Sequence, residues 1–304
     1  ILQMWPGQIL MRRLYRQPSK NTTAAIDVLV VSKEKEMNRD LQKRVIFGAL
    51  ALAVFIPLLV MGGVVFQLFI GFLAMIATAE LLKMNRLSPS SIEGVLAMLA
   101  ALVLTLPLET YLSFLPTDGN YIAFGIVVFL MLGSIVFNIG HYSYSDVVYP
   151  IASSFYVGIG FHNLVGARMD SLNKVLFALL IVWATDTGAY MIGRQIGRHR
   201  LMPRVSPNKT VEGFIGGILS AVAIAAAFLV FDKQVVTNYS FVVTLLLVVI
   251  FSIFAQFGDL VESAIKRHFG VKDSGKIIPG HGGILDRFDS LIFVFPIMHF
   301  FGLF

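Results

Sequence analysis

The sequence predicts an all-α polytopic membrane protein of about nine spans, with its N-terminus in the cytoplasm. Three observations carry that prediction. Hydrophobic residues make up 57% of the 304 and charged residues only 14%, against about 25% charged in an ordinary soluble domain. Mean hydropathy is +0.79, and apolar runs recur near the length of about 20 residues that a helix needs to cross a bilayer. When the loops between those runs are assigned alternately to opposite faces, Lys and Arg gather on one of them, as cytoplasmic loops do. With residues 1–36 set aside, that face holds fifteen, counting Arg287 at the start of the last run, and the other holds only Arg168, Lys174 and Lys233.

The same composition bounds the chemistry. The chain has no cysteine, which excludes disulfides, zinc–thiolate sites, iron–sulfur clusters and a thiol nucleophile, so any catalysis must use oxygen, imidazole or amine groups. The net charge of +6 is accounted for by basic cytoplasmic loops, and no nucleic-acid partner is expected.

Residues 1–36 have neither a membrane-length run nor a clean signal-peptide pattern, since Arg12, Arg13 and Arg16 interrupt the apolar residues; they read as an extension of unknown role. Residues 37–304 read as a single membrane domain. Arg39, Lys43 and Arg44 precede a first span at 45–61, Gly62 and Gly63 mark a tight return, and a second span at 64–82 closes at Lys83 and Arg86. Further runs fall at 92–108, 121–140, 147–166, 174–193, 211–231 and 239–257, with a ninth at 284–304. This assignment puts the loops 194–210 and 258–283 on the same cytoplasmic face. Corresponding halves do not share the interrupted helices of a transporter repeat.

Ionisable residues inside spans are informative because each costs about 3 kcal/mol or more in hydrocarbon and usually lines a polar site. Asp186, Tyr190, Gly193 and Arg194 are spaced i, i+4, i+7 and i+8, so they share a helix face, with the acid about 12 Å from Arg194. The plainer alternative is that Asp186 glues two helices together. In VSPNKTVEGFIGG, Pro207 suits a turn or helix start, and Lys209 and Thr210 open the seventh span. A lysine beside a helix N-terminus suits a phosphate, although the P-loop pattern is absent. Glu212 reads equally as a capping acid or a substrate contact.

The densest polar stretch runs from Gly258 to Ser290. Asp259, Glu262, Ser263, Lys266 and Arg267 follow i, i+3, i+4, i+7 and i+8, so the eighth span continues as an amphipathic helix with one polar face. A loop with Lys272 and Lys276 leads to Pro279-Gly280-His281-Gly282-Gly283, whose glycines allow close backbone approach to a ligand. Asp286, Asp289 and Ser290 then repeat the i, i+3, i+4 spacing. Hard oxygen ligands and several cations at one membrane face suit two phosphate-bearing substrates, and carboxylates on helix ends suit Mg²⁺.

At these residues the chain closely resembles the CDP-diacylglycerol synthase (phosphatidate cytidylyltransferase) family. The signature reads Ser263, Lys266-Arg267, Lys272-Asp273, Pro279, His281-Gly282-Gly283, Asp286-Arg287 and Asp289, and the upstream DTGAY and SPNKTVEG segments match too, with Asn208 where many members carry lysine. The resemblance covers about 185–290, the part from which the active site would mainly be built. It implies the reaction CTP + phosphatidate → CDP-diacylglycerol + pyrophosphate, a catalytic set of Asp259, Asp286, Lys266 and Arg267, and substrate contacts from Lys209, Thr210, Ser263, His281, Gly282, Gly283 and Arg287. It also implies Mg²⁺ on Asp259 and Asp286, with Asp186, Glu262 and Asp289 as second-rank ligands and a monovalent ion such as K⁺ beside it. A homodimer in a bacterial plasma membrane, with the site facing the cytoplasm, completes the expectation. A CTP-dependent lipid alcohol kinase and a membrane transporter are the competing readings.

Overall fold

The computed structural model describes residues 46–137, 143–232, 235, 238–277 and 282–304. The reading of residues 1–36 and the predicted contact of His281 fall outside these. Within the described residues each of the nine apolar runs contains a helix. In chain order they are α1 (Ile46–Met61), α2 (Gly63–Met84), α3 (Ile92–Thr105), the single turn α4 (Leu108–Tyr111), α5 (Gly119–Phe137), α6 (Tyr144–Asp170), α7 (Leu172–Ile196), α8 (Val211–Phe231), α9 (Phe241–His268) and α10 (Leu285–Phe300). Among the described residues α2, α5, α7, α8 and α9 are long and apolar enough to cross a membrane.

The surface is that of an integral membrane protein. Phe231, Phe129, Val230 and Leu219 stand 90%, 73%, 66% and 62% exposed, an apolar belt that a water-soluble protein would bury. Helices are the form that permits this, because every backbone group inside a span is satisfied within its own segment. Where ends are capped, short hydroxyl residues do it: Ser91, Ser240 and Thr210 accept from Gly94, Val243 and Gly213 N–H groups.

One part of the chain departs from the all-α expectation. Between α7 and α8 the chain forms an antiparallel two-stranded ribbon, β1 (Arg200–Met202) and β2 (Ser206–Thr210). Pro207 therefore sits in a strand, not at a turn or helix start. A two-stranded ribbon has only edge strands, where a missing N–H is tolerated.

Packing brings α7, α8, α9 and α10 together. Small residues set the distances, as is common between membrane helices. A side chain on Gly213 or Gly217 of α8 would strike the carbonyls of Ala189 or Thr185 in α7, and one on Gly258 of α9 would strike Asp289 O in α10. Thr185 Oγ1 lies 2.9 Å from Ser252 Oγ, linking α7 to α9 at full burial. The predicted amphipathic extension of the eighth span is an unbroken part of α9, which runs to His268.

Candidate active site

The close contact of α7 with α8 leaves a cavity of about 560 Å³ at their ends, completed by the ribbon and α9. Asp186, Tyr190, Gly193 and Arg194, the predicted α7 face, all line it, and Arg194 Nη1 donates to Tyr190 Oη at 3.3 Å. The ribbon returns to α8 through Thr210, whose hydroxyl accepts the Gly213 N–H at 3.1 Å. That turn delivers the preceding residue over α9, where Lys209 Nζ meets Asp259 Oδ2 at 2.6 Å. Ser263 donates to Asp259 Oδ1 at 3.3 Å. With Arg194, Arg200 and Lys209 facing Asp186 and Asp259, cations outnumber acids in this cavity, which favours a polyanion.

A second cluster lies one to two turns further along α9. Lys266 Nζ is shared between Glu262 Oε2 at 2.5 Å and Asp286 Oδ1 at 2.6 Å. Glu262 is fully buried, and its Oε1 has no hydrogen-bond partner among the described residues. The other oxygen of Asp286 accepts from Ser274 N at 2.9 Å and Gly283 N at 2.8 Å, with Ser274 Oγ also at 2.9 Å. Asp289 is in electrostatic reach of Asp186 and Asp259 as well as Glu262 and Lys266, and so connects the two clusters. Here acids outnumber cations. No three His, Cys, Asp or Glu side chains among the described residues form a ready-made metal cage.

Not every predicted residue converges on this centre. Arg267 is exposed and its Nε donates to the Val205 carbonyl at 3.3 Å, so it braces the ribbon. Arg287 projects instead into an apolar groove beside α1. Gly282 and Gly283 make their close approaches to the protein itself. Gly282 has φ +82°, a conformation that favours glycine, and a Cβ there would meet Asp286, whereas one on Gly283 would meet Ser274 and Glu80. Glu212, in the first turn of α8, ties that turn to the segment after α7, accepting from Arg198 N at 3.1 Å and pairing with His199 Nδ1 at 2.6 Å, while Thr210 caps the helix.

The residue that reading the sequence misses is Glu80, near the end of α2. It is 2% exposed, and its two oxygens accept from Ile284 N at 3.0 Å and Leu285 N at 2.9 Å, with Ser274 Oγ at 3.0 Å. These are the orphan N–H groups at the start of α10, so Glu80 fastens the helix start and the loop that together orient Asp286. Tyr156 of α6 is a second omission: its buried hydroxyl has no hydrogen-bond partner among the described residues and stands in electrostatic reach of Asp289 and Glu262. The signal for Glu80 was present, because it is an acid inside an apolar span.

A family model described as the cytidylyltransferase family matches residues 42–304, which contain every side chain of both clusters. The chain belongs to the cytidylyltransferase family. Its relatives within that family include proteins named phosphatidate cytidylyltransferase from Staphylococcus haemolyticus, 44% identical over 262 residues, and from Staphylococcus saprophyticus, 44% identical over 256. A third, from Staphylococcus aureus strain COL, is 43% identical over 258. Each match covers 84% of this chain and 96% of the relative. Similarity to these cytidylyltransferases thus extends well beyond 185–290, through α1 to α6, and so includes Glu80 and Tyr156.

Proposed function

We propose that this cytidylyltransferase-family chain is a phosphatidate cytidylyltransferase that converts CTP and phosphatidate to CDP-diacylglycerol and pyrophosphate. The observation that carries the reading is the cation-rich cavity of Arg194, Arg200 and Lys209 set against the acid-rich cluster of Glu262, Asp286 and Asp289. A triphosphate and its counter-ion need that pairing of environments, and the names of the staphylococcal relatives supply the substrates.

The chemistry asks little of the protein beyond placement and charge. A lipid phosphate is already ionised at neutral pH, so its oxygen attacks the α-phosphorus of CTP without a general base. The new P–O bond forms as the bond to the bridging oxygen of the β-phosphate breaks, and pyrophosphate leaves with that electron pair. Lys209 and Lys266 hold the triphosphate, Arg287 meets the lipid phosphate, and Arg267 supports the site from the rim. Ser263, Thr210, Gly282 and Gly283 shape the walls, and His281 belongs to the same set by family resemblance.

Mg²⁺ fits the donor set. Asp259 and Asp286 would hold it, with Asp186, Glu262 and Asp289 as further ligands and a K⁺-type ion beside it; the unpartnered buried oxygen of Glu262 supports a cation there. When bound, Mg²⁺ supplies neutralisation of the phosphate charge. The reading includes one membrane domain over 37–304 with nine spans, a cytoplasmic N-terminus and site, a bacterial plasma membrane location, and a homodimer.

CTP labelled at the α-phosphate, incubated with the purified chain and phosphatidate, tests the reaction. Label recovered in lipid, with pyrophosphate released, is the expected result. Label confined to free nucleotide refutes it, and γ-label in lipid would indicate a lipid alcohol kinase instead. CTP-independent solute flux in vesicles would indicate a transporter.

A further inference from the structure

Two buried polar atoms at the acid cluster have no hydrogen-bond partner among the described residues, and they are complementary: Glu262 Oε1 accepts, and Tyr156 Oη carries a proton to give. Glu262 and Asp289 both stand in electrostatic reach of Tyr156. Phenylalanine would fill the same space without leaving a buried hydroxyl unpaired, which is unfavourable. The hydroxyl therefore asks for a use that packing alone does not supply.

Helix α6 presents this side chain on a stripe of Tyr149, Ser153, Tyr156 and Gly160, spaced i, i+4, i+7 and i+11. Both ends of the stripe are fixed. Tyr149 Oη donates to Leu81 O of α2 at 2.8 Å, next to Glu80, and the Tyr149 ring meets that of Phe269, just after α9, edge-on with centroids 5.4 Å apart. At the other end α6 lies so close to α10 that a Cβ on Gly160 would strike the Ile292 backbone. Between them the Tyr156 ring lies 5.9 Å from that of Phe293, one turn beyond Asp289 on α10. Phe293 and the Asp289 carbonyl in turn close over Gly258 of α9, next to Asp259. Ring packing thus sets the Tyr156 hydroxyl in reach of the acids from α6, whereas Lys266 serves Glu262 and Asp286 from α9.

A phenol fits the charge of the cluster. Lys266 is already divided between two acids. A second ammonium would compete with a dication, whereas a phenol keeps its proton at neutral pH and gives one hydrogen bond with no net charge. Hydrogen bonds made to metal-ligating carboxylates fix which oxygens face the metal, and losing one typically costs about 10–100-fold in affinity or activity.

We propose that Tyr156 is a positioning residue of the reaction centre: its O–H donates to the Glu262–Asp289 carboxylate pair when a cation occupies the cluster, and so fixes the oxygens that face that cation. The inference rests on the reading that Mg²⁺ binds at these acids. It gives α6, which supplies none of the predicted ligands or substrate contacts, a direct part in the site.

The test titrates Mg²⁺ against purified wild type, Tyr156→Phe and Tyr156→Leu with two readouts: α-label transfer, and the rise in melting temperature in detergent without substrates. Tyr156→Phe keeps the ring and removes only the hydroxyl. It should need about tenfold more Mg²⁺ for half of either effect, with turnover recovering as Mg²⁺ is raised. Tyr156→Leu should show the same shift together with a lower melting temperature in EDTA, because it also gives up the Phe293 contact. Circular dichroism and size-exclusion profiles establish folding. Wild-type Mg²⁺ curves in folded Tyr156→Phe would overturn the inference, and so would a shift confined to Tyr156→Leu, which would assign the effect to packing. Turnover lost at every Mg²⁺ concentration with an unchanged thermal titration would overturn it too. The arms separate the readings. A wild-type protein with no Mg²⁺ response in either readout refutes the metal site and the role of Tyr156 with it. Absence of labelled lipid from wild type, with a shifted thermal titration in Tyr156→Phe, refutes the cytidylyl transfer alone and supports the positioning role.

Discussion

Replacing Glu80 by glutamine changes one atom, and the geometry around it makes the effect large. Ile284 N points at Oε1 and Leu285 N at Oε2, so each oxygen faces a backbone donor that has no other place to go in a buried site. An amide offers one oxygen. Whichever way it is oriented, one N–H at the start of α10 faces an NH₂ group and stays unpaired, at a cost of about 1–3 kcal/mol, with loss of a charge-assisted bond adding a comparable amount. Because Ser274 touches both Glu80 and Asp286, the loss falls on the loop that orients Asp286. We expect Glu80→Gln to lower kcat at least tenfold, the equivalent of about 1.4 kcal/mol, with KM for CTP changed less, and to lower the melting temperature in detergent. The assay is α-label transfer at saturating CTP and phosphatidate alongside a thermal unfolding curve. Wild-type turnover and unchanged melting in Glu80→Gln would refute the fastening role. Glu80→Asp, which keeps both oxygens, should recover more activity than Glu80→Gln; the reverse order would also refute it.

Three further perturbations separate roles within the site. Asp259→Asn should abolish Mg²⁺-dependent turnover in a protein that remains folded, checked by label transfer and size-exclusion; full activity removes Asp259 from the ligand set. Lys266→Met strips the cation shared by Glu262 and Asp286, and breaking a buried pair costs about 3–5 kcal/mol, so this variant should show the largest drop in melting temperature. The double variant Lys266→Met with Glu262→Gln should recover part of that drop, though not activity. Thr210→Val removes the α8 cap at a cost of about 1 kcal/mol; the melting temperature should fall by a few degrees, and a shift beyond that in KM for CTP would give the threonine a substrate contact in addition.

The long helices among the described residues were legible because apolar runs near 20 residues leave little else to form, and the face of Asp259, Glu262, Ser263 and Lys266 was legible because helical periodicity is a local property. What periodicity cannot report is which neighbouring helix a face meets. Arg287 and Asp286 are adjacent in sequence, yet about 100° of helical rotation sends one to the apolar groove and the other to Lys266. Arg267 shares the helical stripe of Asp259 but lies two turns further along, past the acids and against the ribbon. The ribbon itself has strands of three and five residues, too short to leave a pattern of alternation. Glu80 carried the same signal that drew attention to Asp186, an acid in hydrocarbon, but its partners are backbone N–H groups, which no side-chain pattern can name.

The Glu80 contacts also bear on how the protein comes into being. Glu80 is separated by 194 residues from Ser274 and by 205 from Leu285, so the tie joins a helix made early in translation to one made late. At a synthesis rate of about 5–20 residues per second, α2 waits on the order of ten seconds or more in the bilayer with a buried carboxylate whose partners have not yet been synthesised. During that interval Asp286 does not exist and the loop that will carry it has no anchor. The tie between α2 and the start of α10 thus forms in one late step, and only then do the Ser274 and Gly283 contacts that orient Asp286 take their places.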